Sequence, residues 1–514
     1  MHTNLVIQAL AGTGKTTTLV EGLKRWMNPK YVGKGIKPSP QQEAIWETMK
    51  TLKKPKSVLF CAFNKSIQEE LSKRVPGGCQ TATTHSMGNR SIRAAYGFVR
   101  LNDKWKIANM LEKITGQDFR EFKKHNVELY SALQSAYDMA RLTLLGYAGR
   151  GKFDPDSITL DELRELCNKY EVVVNGSEKE ILSHLKQLLV MGSDIDGEDG
   201  LREIDFVDMI WLPIVNELPV QTYDAVLVDE AQDLNACQQE LVLRMSSRNV
   251  IVCGDVHQAI YGFAGADTDS IPNMIKRLER RGGVTELPLT VTYRCGQKIV
   301  DVANAIVPEY QAHWANDPGE VRDLPTSDFF DEVQDDDMCV CRVNAPLVSF
   351  AFKLLAMNRK AHIVGRDIGA GLIRFIKGFN CSDPGELLAA SQDWTEKEVQ
   401  KLHKQKRPND ARIIALLDRQ ECLEVFCQGC FTVDDILDRI NDIFSDTSEK
   451  GIRLSSVHRA KGLEADNVYL LYPSLMPHPM AKSPWQQQQE RNLKYVAITR
   501  AKRRLSYVFD DETV

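Results

Sequence analysis

Gln8-Ala9-Leu10-Ala11-Gly12-Thr13-Gly14-Lys15-Thr16 decides how this chain reads. Ahead of it, Leu5-Val6-Ile7 is an apolar run suited to a buried strand. Behind it, Leu19, Val20, Leu23, Trp26 and Met27 recur at helical spacing as far as Met27. A strand, a glycine turn and a helix in succession make the setting of a phosphate-binding loop. Gly12 and Gly14 let the backbone turn its N–H groups toward an anion, and the helix start adds partial positive charge. Ala11, Gly12, Thr13, Gly14, Lys15, Thr16 and Thr17 are therefore the candidate nucleotide contacts. Within them Lys15 suits the β- and γ-phosphates, and the Thr16 hydroxyl suits Mg²⁺. The loop opens with Ala9 where the usual pattern has glycine.

The 514 residues suggest several domains, about three to four by length. With 43% hydrophobic and 26% charged residues, the composition is that of a soluble protein with sizeable cores. A net charge of -5 does not by itself propose a nucleic-acid partner, and a basic groove within an acidic protein remains open. No apolar run reaches membrane-span length, and the N-terminus has no signal-peptide core. The 12 cysteines are scattered, several in strand-like runs (Cys61, Cys253, Cys339, Cys341), as expected of buried thiols in a reducing cytoplasm.

Along the chain, Gln41 to Leu52 has a helical pattern, and Ser57 to Phe63 reads as a strand running into a loop at Asn64-Lys65. Thr81 to Ser86 reads as a short strand, and a long helical stretch continues to about Pro219. Tyr223 to Val228 is a second buried strand, and it ends in Asp229-Glu230-Ala231-Gln232-Asp233. Carboxylates after an apolar strand sit at the sheet's C-terminal edge, where ligands of open α/β sheets bind. Asp229 suits Mg²⁺, directly or through water, and Glu230 suits a base that orients water at a γ-phosphate. The strand Val250 to Cys253 leads into Gly254-Asp255-Val256-His257-Gln258, so Gln258 can serve the same edge. Tyr261 and Phe263 follow in a Gly-rich segment, where aromatics can stack on bases.

Beyond Pro288 the pattern restarts. Thr292-Tyr293-Arg294 precedes a helix through Asn304, and strands are expected at Met338 to Val343, Ala361 to Val364, Ile452 to Ser456, Asn467 to Tyr472 and Arg504 to Phe509. Phe379 to about Asp446 is helical and polar, and its Lys-rich run from Lys397 to Arg407 reads first as a solvated face. Cys422, Cys427 and Cys430 lack a fourth ligand at standard spacing and read as core thiols. Trp485 with Gln486 to Gln489 reads as a short loop.

These residues resemble a superfamily 1 helicase of the UvrD/Rep type. The matching motifs run in family order: Ala-Gly-Thr-Gly-Lys-Thr, Ala-Phe-Asn-Lys, Thr-His-Ser, Val-Asp-Glu-Ala-Gln-Asp, Gly-Asp-Val-His-Gln-Ala-Ile-Tyr-Gly-Phe, Thr-Tyr-Arg, His-Arg-Ala-Lys-Gly-Leu-Glu and Tyr-Val-Ala-Ile-Thr-Arg-Ala. The resemblance implies an α/β fold of two RecA-like parallel-sheet motor lobes, each with a mainly helical insertion and ATP bound between them. The first lobe would take 1–90 and 220–287 around an insertion at 91–219; the second would take 288–378 and 447–514 around a reduced insertion at 379–446.

The resemblance further implies translocation on single-stranded DNA in the 3′ to 5′ direction. Lys15, Thr16, Asp229, Glu230 and Gln258 would form the first lobe's half of the site. Arg294 and Arg500 would reach the γ-phosphate, Tyr293 would stack on adenine, and Glu464 would approach the ribose. Phe63, Asn64, His85, Tyr261, Phe263 and His458 match positions along the DNA path. Expected ligands are ATP and Mg²⁺. Expected partners are single-stranded DNA, tailed duplex, and proteins of replication, repair or recombination.

Three features depart from the family pattern. Ala264 stands where arginine is usual. The short second insertion favours translocation over duplex unwinding. Only Met1 to Gln8 precede the glycine loop, which leaves no room there for the family's glutamine motif; Pro38-Ser39-Pro40-Gln41-Gln42-Glu43-Ala44-Ile45 has that motif's form, displaced behind the first helix. This segment reads either as a surface helix capped by Ser39 or as a helix that returns Gln41 or Gln42 to the adenine. Two other functions fit parts of the pattern: a nucleotide-dependent DNA clamp, and the motor subunit of a nuclease complex whose cutting comes from a partner. Base stacking on aromatics leaves RNA open as a substrate.

Overall fold

The computed structural model describes residues 4–33, 37–62, 64–170, 172, 178–197, 202–260, 269–404, 411–445 and 451–510. By their contacts the residues up to Ala9 together with Gly14–Leu289 form one compact unit. Leu10–Thr13 and the chain from Thr290 onward form a second.

The first unit is built on six parallel strands: β1 (Asn4–Ala9), β2 (Val58–Ala62), β3 (Cys79–Thr83), β4 (Tyr223–Val228), β5 (Ser246–Gly254) and β6 (Val284–Leu289), in the order β3-β2-β4-β5-β1-β6. Parallel strands need both faces covered, and side chains alternate between faces with a period of two. Val6, Leu59, Val226, Val228, Val250 and Val252 share a core with the helices of residues 84–215. Leu5, Ile7, Phe60, Ala225, Leu227, Ile251 and Cys253 face the other way, onto α1 (Lys15–Met27) and α2 (Pro40–Thr51).

α2 lies along α1 at Gly22, where an added Cβ would meet Met49 Sδ at 2.4 Å. Trp46 Nε1 donates to Thr18 O (2.9 Å), Trp26 Nε1 donates to Leu52 O (3.1 Å), and the Arg25 guanidinium sits 3.9 Å from the Trp46 ring centre. A glycine on one helix and tryptophans whose polar tips find carbonyls thus fix how α2 returns to the loop end of α1.

The second unit carries seven parallel strands: β7 (Glu320–Pro325), β8 (Met338–Cys341), β9 (Ala361–Val364), β10 (Phe444–Ser445), β11 (Ile452–Ser456), β12 (Ala465–Leu471) and β13 (Ala501–Phe509), in the order β7-β13-β12-β8-β11-β9-β10. Helices Pro384–Lys404, Ala411–Cys427 and Val433–Ile443 join its core, which includes Cys422 and Cys427. All 12 cysteines are thiols rather than disulfides. Lys397 and Lys401 pair with Asp393 and Glu398 on an exposed helix face. Among the described residues no helix is long and apolar enough to cross a membrane.

Several elements differ from the sequence reading. The strand expected through Ser86 stops at Thr83, whose side chain accepts from Ser86 N and starts helix Thr84–Tyr96. Asn64-Lys65 is a helix start rather than a loop: Asn64 caps Lys65–Arg74. Trp485 to Gln489 belong to helix Pro484–Ile498, begun by a capping box of Ser483 with Gln486 and a proline in its first turn. β13 starts at Ala501 rather than Arg504. β6 and β7 have no counterpart in the sequence reading. Both lie at sheet edges and carry proline (Pro288, Pro325), which an edge tolerates because one side of the strand needs no partner.

Candidate active site

In the first unit β1, β5 and β4 are neighbours, and each ends at the same edge. β1 runs into the glycine loop, β4 into Asp229-Glu230, and β5 into Asp255. Gly14 caps α1 in the left-handed region (φ 80), a conformation glycine takes without steric cost.

Lys15 Nζ lies 3.2 Å from Glu230 Oε2. Burial opposes the ammonium charge, yet Glu230, Asp255 and Asp229 outweigh it and push the group up to about 12. Thr16 Oγ1 donates to Asp229 Oδ2. Burial, with the neighbouring Glu230 charge, raises the Asp229 carboxyl to about 6. Glu230 itself sits at φ 52. A side chain there costs about 1–2 kcal/mol, and the bond from its N–H to Asp229 Oδ1 (3.0 Å) helps hold it.

Two residues that the sequence reading gave no role complete this edge. Gln232 Nε2 donates to Glu230 Oε2 (2.6 Å), and Gln232 Oε1 accepts from Asp255 N (2.9 Å). Asp255 Oδ2 in turn accepts from Gln258 Nε2 (2.6 Å). Lys15, Glu230, Gln232, Asp255 and Gln258 are therefore one linked set. Gln232 was legible only as part of Val-Asp-Glu-Ala-Gln-Asp, and Asp255 only as part of Gly-Asp-Val-His-Gln-Ala-Ile-Tyr-Gly-Phe.

Gln42 is 4% exposed, and the surface-helix reading of α2 fails for it. Its Oε1 accepts from Ser39 N (3.0 Å) to close a capping box, and its Nε2 donates to Thr18 Oγ1 (3.0 Å). An added Cβ at Gly14 would stand 3.6 Å from that same Nε2. The cap expected at Ser39 is present, and the helix it starts delivers Gln42 to the glycine loop.

In the second unit Ala465 at the start of β12 pairs with Ala501 at the start of β13, which brings Glu464 and Arg500 to one N-terminal edge. Arg294 Nε pairs with Glu464 Oε2 at 2.7 Å, and its Nη1 donates to Thr499 O at 3.3 Å. Lys502 holds the other Glu464 oxygen at 2.7 Å. Burial works against the Glu464 charge, but Lys502 and Arg294 prevail and keep its carboxyl below the usual range. Arg500 is 1% exposed. It donates to Val496 O (2.9 Å), Leu463 O (3.1 Å) and Thr499 Oγ1 (3.2 Å), and among the described residues no carboxylate pairs with it. Burial, reinforced by Arg294, lowers it to about 10.

The loop residues Leu10–Thr13 pack in this unit. Ala11 N donates to Tyr495 Oη and Ala11 O accepts from Tyr310 Oη, both at 2.9 Å, and Tyr293 N donates to Gly12 O at 2.9 Å. Gly12 has φ +66, and a Cβ there would come within 2.5 Å of Arg294 Cβ and 2.6 Å of Thr292 Oγ1, so only glycine fits. Thr13 Oγ1 donates to Leu10 O (2.8 Å) and braces the turn. Sequence reasoning missed Tyr310 and Tyr495, whose role rests on contacts distant in sequence.

Two of the residues expected along a nucleic-acid path stand at the C-terminal edge of the first sheet, the edge that carries the glycine loop. Asn64 is exposed after β2, and His85 is half-buried after β3. His458 follows β11 at the C-terminal edge of its sheet, opposite to Glu464 and Arg500. Burial, then Arg342 and Arg459, lowers the His458 imidazole to about 3, so it is neutral at physiological pH. Phe63, Tyr261, Phe263 and Ala264 lie outside the described residues. Thr17 Oγ1 accepts from Arg74 Nη2 (3.0 Å) on the body of the first unit.

Oxygen donors of Thr16 and Asp229 beside a buried lysine at a glycine loop suit a hard divalent cation accompanying a nucleotide phosphate. Two parallel sheets, with a glycine loop on the first, define a P-loop nucleotide-hydrolase fold of two RecA-like lobes. The chain belongs to the UvrD/REP helicase family: the family's N-terminal domain matches residues 1–279, and the UvrD-like helicase C-terminal domain matches residues 394–510. It is 24% identical to F-box DNA helicase protein 1 of Schizosaccharomyces pombe over 98% of this chain and 55% of that protein. It is 24% identical to F-box DNA helicase 1 of Gallus gallus over 97% and 46%. With the ATP-dependent DNA helicase PcrA of Bacillus subtilis the match is 25% over 59% of this chain and 37% of the relative. The chain spans about half the length of the two F-box relatives, at 55% and 46%.

Proposed function

We propose that this chain is an ATP-driven motor that moves 3′ to 5′ on single-stranded DNA and uses hydrolysis to separate strands or displace bound protein. The observation that carries the reading is Arg500, a buried guanidinium whose partners are carbonyls and a hydroxyl. Such a charge is costly unless it serves a phosphate or a carboxylate that arrives with a ligand.

Phosphoryl transfer is catalysed mainly by placing positive charge around the γ-phosphoryl and orienting water. Lys15 would leave Glu230 for the β- and γ-phosphates, and the freed Glu230 carboxylate would then take the water proton. Thr16 and Asp229 would hold Mg²⁺, which supplies charge neutralisation on the phosphate oxygens. Gln258 joins through Asp255 as the γ-phosphate sensor. Arg294 and Arg500 supply charge from the second unit, and Glu464 orients Arg294 and takes the ribose. Tyr293 would stack on adenine, and Gln42 would read its edge. Nucleotide state then biases the residues that hold the strand, proposed as Phe63, Asn64, His85, Tyr261, Phe263 and His458.

The test is strand displacement, with and without ATP and Mg²⁺, on duplexes tailed at the 3′ or 5′ end. Displacement confined to 3′-tailed substrates supports the polarity. Equal displacement of both would overturn it, and displacement of streptavidin from end-labelled single strands without unwinding would limit the motor to translocation.

A further inference from the structure

Tyr293 does not stand alone. Its ring centroid lies 4.7 Å from that of His313, with planes at 32°, and His313 lies 5.3 Å from Trp314 at 40°. Tyr293 is 38% exposed and Trp314 is 87% exposed, so the row of rings begins at the nucleotide residue and ends in solvent.

The chain holds His313 in this place by its own short bonds. Val291–Thr292 pairs in parallel with Gln311–Ala312, and His313 N donates to Thr292 O at 2.9 Å. Asn316 Nδ2 bridges Thr292 O (2.9 Å) and Cys295 O (2.8 Å), the residues flanking Tyr293-Arg294. Ala315 N donates to His313 Nδ1 at 3.2 Å, which fixes the imidazole plane. A tyrosine on a surface segment has two side-chain torsions to lose when a base settles on it. A ring packed against it beforehand removes part of that cost.

We propose that His313 is a positioning residue that holds the Tyr293 ring as the platform for the nucleotide base. The inference rests on the reading in which Tyr293 stacks on adenine. It assigns to His313 an effect on base binding and none on phosphoryl transfer.

Two substitutions separate the ring from the loop. His313→Asn keeps an acceptor for Ala315 N and loses the ring; His313→Phe keeps the ring and loses the acceptor. His313→Asn should raise KM for ATP and weaken binding of a non-hydrolysable ATP analogue about three- to tenfold, the range of one aromatic pair, with kcat within about twofold. His313→Phe should restore both values to within about twofold of wild type. Competition by inorganic triphosphate, which has no base, should be unchanged. In a Tyr293→Ala background His313→Asn should add nothing, since its effect runs through the tyrosine.

The outcomes are distinct. Weak analogue binding by Tyr293→Ala but unchanged binding by His313→Asn overturns the role of His313 and leaves the stacking reading standing. Unchanged binding by Tyr293→Ala overturns the stacking reading itself, and His313 falls with it. Equal weakening by His313→Phe and His313→Asn, with unchanged melting temperatures, makes the loop rather than the ring responsible and also overturns the proposal.

Discussion

The two units handle buried positive charge in opposite ways. In the first, Lys15 is compensated three times over, by Glu230, Asp255 and Asp229, and stays firmly charged. In the second, Arg294 is compensated by Glu464, while Arg500 has two carbonyl oxygens and the Thr499 hydroxyl. A lysine with carboxylates around it already has what a nucleotide would bring and must exchange partners. An arginine held by carbonyls keeps its charge available, at a standing cost in desolvation. The difference suggests that the first unit's set governs binding and water activation, while Arg500 acts on the charge that develops during transfer.

Removing Arg500 breaks this comparison most severely. Arg500→Ala should lower kcat for ATP by about 10³-fold or more, with nucleotide affinity changed far less. Arg500→Lys should recover little, because a point charge does not reproduce the planar fork held by Val496 O and Leu463 O. Stopped ATP turnover together with normal analogue binding is the predicted pattern; full turnover in either variant contradicts it.

Glu230→Gln comes next. It should reduce hydrolysis by about 10²- to 10⁴-fold and leave ATP bound, since the base is lost and the glycine loop is not. Lys15→Ala should also stop turnover but lose affinity, and a filter-binding assay separates the two. A Glu230→Gln variant with normal DNA-dependent turnover would remove Glu230 from its role.

Gln42→Ala sharpens the comparison within the first unit. It removes the hydrogen bond to Thr18 and the side-chain half of the capping box, while the Ser39 hydroxyl still accepts from the backbone N–H at position 42, a loss of about 1 kcal/mol in stability. If Gln42 reads adenine, the ATP to GTP preference in kcat/KM should fall by about tenfold or more, because a site built for one base leaves polar groups unpaired with another. A preserved ratio with only a lower melting temperature would confine Gln42 to the helix cap. The smallest effect is expected at Ala264. Ala264→Arg should steepen the salt dependence of single-strand binding by about one phosphate contact, and an unchanged slope would place the position away from phosphate.

What the sequence disclosed follows from locality. Gly12, Gly14, Lys15 and Thr16 are neighbours in the chain, and the strand before Asp229-Glu230 is long and apolar, so both sites were legible without contacts. The link from Glu230 through Gln232 to Asp255 and Gln258 joins the ends of two strands, and spacing alone does not reveal it. Tyr310 and Tyr495 meet Ala11 across 299 and 484 residues of chain. The edge strands β6 and β7 hid behind their prolines and polar residues. Trp485 to Gln489 hid behind a run of glutamines, although Ser483, Pro484 and Gln486 carried the helix start in plain view. Gln42 was the sharpest case: its motif was visible, but the glycine at position 22 that lets α2 close on α1 was not read as a packing site.

The most direct measurement of the central claim is the steady-state ATPase rate of the wild-type chain, with Mg²⁺, in the presence and absence of single-stranded DNA. If strand binding is coupled to ATP hydrolysis, DNA should raise kcat by about tenfold or more, equivalent to about 1.4 kcal/mol in the barrier. Equal rates with and without DNA would contradict the account.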